Sequence, residues 1–135
     1  MLKLIDTHCP ESDKFVYEQL KEHNANRVGR DKAPVSLYFK NENHDIVAGL
    51  TGRTQWGALV IEILWVHQDY RGQSLGERLI NRATEVALQQ SCQNMVVETM
   101  GFQAKDFYLK QGFEIFGVVE HSEPAFCCYY LKKML

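Results

Sequence analysis

The chain has 135 residues, 45% of them hydrophobic and 24% charged, which suits a single globular domain with room for a buried core. Fifteen basic residues against 17 acidic ones leave a formal charge of -2, which argues against a nucleic-acid surface, because such surfaces carry a basic excess or stripe. No apolar run reaches the length of a signal-peptide core or a membrane span, so neither a secreted nor a membrane protein is expected.

In chain order, "LKLID" reads as a short edge strand, and residues 11–24 read as a helix with Phe15, Val16 and Leu20 on a modest apolar face. "NANRVGRDKAP" reads as a polar loop ending at Pro34. Three strands follow in series: "VSLYFK", "DIVAGLTGRT" and "GALVIEILWVH", joined by short connections at "NENH" and "QWG" that suit antiparallel hairpins. The third run is apolar from Ala58 to Val66 except at Glu62. A strand covered on both faces has this composition, so it is expected at the centre of a sheet.

From Leu75 the apolar period lengthens. Leu75, Leu79, Ile80, Ala83, Val86 and Ala87 recur at helical spacing. "NMVVET" is then a buried strand, and the intervening helix makes a crossover to a parallel neighbour. "AKDFYLK" is a short helix stopped at Gly112, which suits a left-handed cap. "FEIFGVVE" and "AFCCYYLKK" close the chain as strands, with "CCYY" buried. The result is a mixed α/β fold.

Four cysteines, Cys9, Cys92, Cys127 and Cys128, form no CxxC pair. They are read as reduced thiols of a cytoplasmic protein, with no metal site expected.

The stretch "YRGQSLGERL" carries the chain from a strand through a glycine turn into a helix. The first N–H groups of a helix lack intrahelical partners and sit at the positive end of its dipole. Glycines there let the backbone turn and let a ligand come close, so the turn is a candidate phosphate cradle. It is neither a Walker loop, which ends GK[ST], nor a GxGxxG fingerprint. A plain helix entrance is the other reading of these residues.

Together with "QAKDFYLKQGF", the segment "IEILWVHQDYRGQSLGERLINRA" resembles the GNAT superfamily of N-acetyltransferases. That family's acyl-CoA loop reads R/Q-x-x-G-x-G/A after a strand commonly ending in valine. Arg71, Ser74, Gly76 and Val66 take those places, with Ser74 where glycine is usual. Ala104, Tyr108, Lys110, Gly112 and Phe113 match a second landmark. An asparagine often found seven residues before the tyrosine is replaced by Gly101.

The resemblance implies one N-acetyltransferase domain over residues 1–135. Its sheet would be mostly antiparallel, with a splayed central parallel pair and helices on both faces. Acetyl-CoA would be the co-substrate, with no metal. Its pantetheine would pair with the backbone of Leu64, Trp65 and Val66, and its pyrophosphate would rest on Arg71, Gly72, Gln73, Ser74, Leu75 and Gly76, with Lys110 also in the cofactor set.

Chemistry needs a base for the acceptor amine and a donor for the departing thiolate. Glu62 is the candidate base, being the only charge in its strand; binding substrate without moving protons is its other reading, and Glu98 stands in reserve. Tyr108 matches the family's acid, the alternative being a buried tyrosine packed on Phe107. Trp56 and Trp65 line an acceptor pocket or pack in a core or interface. His67 reads as a loop residue, and Glu22–Asn24 lies where this fold often carries an acceptor-binding element.

The acceptor is expected to be a primary amine on a small molecule. A protein amine, a non-catalytic acyl-CoA sensor and a flavin or nucleotide binder are the alternatives, and a homodimer is left open.

Overall fold

The computed structural model describes residues 1–135, which divide into two compact units, Met1–Asp31 and Lys32–Leu135. The first unit is built around helix α1, Pro10–Val28, none of whose residues is buried. Proline at the start and Gly29 (φ +79°) at the end set its bounds, and the Gly29 N–H donates to the Ala25 carbonyl at 2.9 Å. The helix therefore extends beyond residues 11–24, through four residues of the expected loop and including Glu22–Asn24. Phe15, Val16 and Leu20 are exposed. The expected strand "LKLID" is not one: no ladder partner pairs with residues 2–6, and an edge strand cannot exist without one.

The second unit holds a six-stranded sheet in the order β1-β2-β3-β4-β6-β5. Its strands are β1 Ala33–Lys40, β2 Ile46–Gln55, β3 Ala58–Val66, β4 Asn94–Met100, β5 Glu114–Val119 and β6 Cys128–Met134. Trp56 and Gly57 turn β2 into β3 with positive φ at both residues (+52° and +80°), the geometry that matches strand twist in a two-residue hairpin. Helix α2, Leu75–Gln89, crosses over between β3 and β4, which run parallel as the intervening helix implies. All other pairings are antiparallel.

The core lies between α2 and one face of the sheet. Leu75, Leu79, Ile80, Ala83 and Ala87 meet Leu50, Leu59, Met95 and Leu131, so the helical period read in the sequence is the buried stripe. Burying a leucine this completely stabilises the fold by roughly 1.5–3 kcal/mol. Short helix α3, Lys105–Lys110, ends where Gly112 takes φ +89°.

β3 and β4 pair only at Ala58↔Asn94, Leu59↔Met95 and Val60↔Val96. Beyond Val60 the two strands separate, which is the splay. β3 also carries a bulge: Thr51 pairs with Ile63 and Gly52 with Ile61, leaving Glu62 as the extra residue. At the bulge the backbones crowd, and a Cβ on Gly52 would overlap the Val60 carbonyl oxygen. The extra residue reverses the side-chain alternation. Leu59 and Ile61 are buried before it, whereas Leu64 and Val66 face the core after it.

The expectation that β3 is covered on both faces fails for this half: Ile63 is 60% exposed and Trp65 45%. Two smaller boundaries also differ. Ala125 and Phe126, expected to begin the last strand, lie in a 3-10 turn that starts at Pro124, and "CCYY" is half-buried, with Cys127 outside the strand.

Candidate active site

After β3, a short 3-10 turn at Gln68–Tyr70 leads into the loop before α2. His67 serves this turn as a cap, its Nδ1 accepting from the Asp69 N–H at 3.0 Å, in keeping with a loop role. Gly72 (φ +79°) and Ser74 (φ +61°) both take left-handed conformations, so the chain enters the helix sharply. Ser74 holds the N-cap position yet makes no side-chain cap bond. A capping side chain usually works from extended backbone. The left-handed turn denies that geometry, so Ser74 does not cap the helix.

The first helical bond runs from the Arg78 N–H to the Ser74 carbonyl, so the N–H groups of Leu75, Gly76 and Glu77 have no partner within the helix. They open beside a cleft of about 300 Å³. Six residues anticipated from the sequence line it: Val66, Arg71, Gly72, Ser74, Leu75 and Gly76. Arg71 is anchored by its Nε, which donates to the Val66 carbonyl at 3.2 Å. Its terminal nitrogens stay available to an anion. Glu77 in the first turn suits the helix dipole but opposes a bound anion, so recognition there falls to the backbone and Arg71.

Gly76 lines the cleft, and packing also favours glycine there. A Cβ there would lie 3.1 Å from Phe107 Cζ, because that ring seats on the helix start. Phe107, Tyr70 and Gln111 complete the cleft wall and were missed in the sequence. The only sign of Phe107 was its place beside Tyr108 in the family's second landmark.

Tyr108 itself is buried, edge-on to Phe107 (5.3 Å) and Phe113 (5.5 Å), and does not line the cleft. Burial pushes its hydroxyl up to about 12, so it keeps its proton at neutral pH. Lys110 is exposed and Gln73 turns outward; neither lines the cleft.

Glu62, Leu64 and Trp65 also stand outside the cleft lining, along the splayed half of β3. The Glu62 carboxylate accepts from Arg53 Nη1 at 2.8 Å, an ion pair across the β2–β3 bulge. Arg53 was missed in the sequence; it pairs with Val60, which sets it diagonal to Glu62 on the same face. Trp56 is ruled out of an acceptor pocket at this mouth. It sits in the hairpin at the opposite end of β3, about 30 Å from Val66 at ~3.3 Å per residue. Gly101, where the family often has asparagine, has no room for any side chain: its Cβ would overlap the Pro124 carbonyl oxygen.

Residues 2–113 match the Acetyltransferase (GNAT) family. An acetyltransferase of Agrobacterium fabrum is 30% identical over 115 residues, 84% of each chain. The blasticidin-S acetyltransferase of Streptomyces morookaense is 35% identical over 101 residues, 74% of each chain. Among solved structures, an acetyltransferase from Bacillus cereus superposes with a TM-score of 0.84 at 27% identity, covering 98% of each chain. With a splayed parallel pair, an uncapped helix start at its mouth and these relatives, the chain belongs to the GNAT family of acetyltransferases.

Proposed function

We propose that the protein transfers the acetyl group of acetyl-CoA to a primary amine on a small molecule. The observation that carries this reading is the uncapped start of α2, opening on the cleft at the mouth of the splay. The pyrophosphate of CoA would bind the free N–H groups of Leu75–Glu77 and the Arg71 guanidinium. The pantetheine arm would lie along the β3 edge that β4 leaves unpaired beyond Val60, its amides pairing with Leu64–Val66. A small-molecule acceptor is supported by the blasticidin-S acetyltransferase among the relatives.

In the reaction the amine nitrogen attacks the thioester carbonyl carbon, and the carbon–sulfur bond breaks. Before attack the ammonium gives a proton to Glu62, directly or through water. Arg53 fixes the direction of that carboxylate. A backbone N–H on the open edge near Leu64–Val66 stabilises the oxyanion.

Tyr108 serves the departing thiolate as a hydrogen-bond donor. With its hydroxyl at about 12 and a thiol near ~8.5, full transfer of the phenolic proton is uphill. The thiolate therefore leaves as an anion held by that hydrogen bond, and the second proton that the nitrogen loses as the amide forms passes through solvent to the sulfur.

The test is incubation with acetyl-CoA and a panel of amines, read as free thiol and as acetylated product by mass spectrometry. Thiol release matched by amine acetylation is expected. Tight acetyl-CoA binding without any thiol release would make the protein a sensor instead.

A further inference from the structure

Val60 and Val96 are the last paired residues of β3 and β4 and share one face of the sheet, the face away from α2. Glu62 and Glu98 each lie two residues further on, so alternation brings both carboxylates to that same face on opposite sides of the splay. Strands at ~4.8 Å spacing that then diverge put more than about 5 Å between these two positions.

The two differ in their partners. Glu62 is matched by Arg53 at 2.8 Å. Glu98 has Tyr130 directly across on β6, with Cys128 and Lys132 on the diagonals. Cys128 Sγ lies 3.9 Å from the Glu98 carboxylate, a weak contact, and Lys132 is drawn to Glu114 at 4.0 Å and to the Phe116 ring. No cation of the Lys32–Leu135 unit pairs with Glu98. Farther along β3, Ile63 and Trp65 expose apolar surface on this same face.

We infer that Glu98 is a specificity-determining residue that holds a second cationic group on the acceptor. The substrate class is then a diamine, or an amine carrying a guanidinium, with an apolar or aromatic body between its charges. One ammonium loses its proton at Glu62 and attacks. The other stays protonated against Glu98, and the body lies on Ile63 and Trp65. An acceptor with one amine leaves Glu98 facing the gap without a counter-charge, and this difference sets the preference. The inference rests on acetyl transfer at the splay as proposed above.

The experiment compares 1,4-bis(aminomethyl)benzene with 4-methylbenzylamine, which share a body and differ in one ammonium. Steady-state kinetics and calorimetric binding in the presence of CoA are measured for the natural protein and for Glu98→Gln. The diamine is expected to have a kcat/KM at least tenfold higher. Glu98→Gln should reduce that ratio to near parity, mainly through the diamine KM, while Glu98→Asp keeps part of it.

Equal use of both amines, or a preference that survives Glu98→Gln, would overturn the inference. So would a collapse of kcat for both amines, which would make Glu98 the base. If neither amine is acetylated but the diamine still binds tenfold tighter in a Glu98-dependent way, the cation site stands and acetyl transfer fails.

Discussion

The two halves of β3 have nearly the same apolar composition and opposite fates. Ala58–Val60 is paired on both edges and drives Leu59 fully into the core. Glu62–Val66 keeps β2 but loses β4, gains a bulge and exposes Ile63 and Trp65. Strand pairing, not residue type, separates the half that holds the fold from the half proposed to receive a substrate. Mutations in the first half should therefore cost stability, and mutations around the second should cost turnover.

The largest expected effect is in the closed half. Leu59→Ala leaves a cavity against α2 and should cost about 2–5 kcal/mol, read by denaturant unfolding. A loss under 1 kcal/mol would mean that the paired half is not the keystone described here.

Next comes Tyr108→Phe, which keeps the ring packing and removes the proposed donor to the thiolate. Turnover should fall about 10- to 100-fold, the worth of a hydrogen bond to a charged group, with acetyl-CoA affinity nearly intact. The same residue sets an alkaline limit. Its hydroxyl titrates near ~10 when unfolded and at about 12 when folded. Stability is thus fully present below pH ~10 and lost as pH rises through 12, by about 1 kcal/mol per unit. Alkaline unfolding curves of Tyr108→Phe should lack that component.

The smallest effect is expected at the loop. Ser74→Gly relieves a left-handed serine and should stabilise the protein by at most ~1 kcal/mol, with acetyl-CoA binding retained. A clear loss of binding would assign the serine side chain a contact with the cofactor.

Much of this arrangement was legible before any coordinates. The change from alternating to helical period located α2 and with it the parallel pair, and Gly112 marked the end of α3. The loop from Arg71 to Gly76 could be read because helix starts and glycine turns leave a local signature.

The bulge at Glu62 could not, since it exists only as a mismatch between the registers of two strands. Arg53 could have been found, because the hairpin at Trp56–Gly57 sets it opposite Val60 and so diagonal to Glu62. The exposure of Ile63 and Trp65 was misread because an apolar run looks the same whether covered on both faces or lining an opening. The packing of Gly76 on Phe107 was hidden as well, because Phe107 comes from a helix 31 residues further along the chain. Contacts between elements leave little trace in local pattern.

The proposed acetyl transfer depends most on Glu62 acting as a base in the open half of β3. The measurement is kcat and acceptor KM for Glu62→Gln beside the natural protein, over a pH series at saturating acetyl-CoA. Glutamine keeps size and hydrogen bonding but cannot accept the proton, so kcat should fall about 10²-fold or more while KM changes little. A mutant with near-normal kcat and a raised KM would reduce Glu62 to a binding group for a cationic amine, and the proposed proton transfer would be wrong.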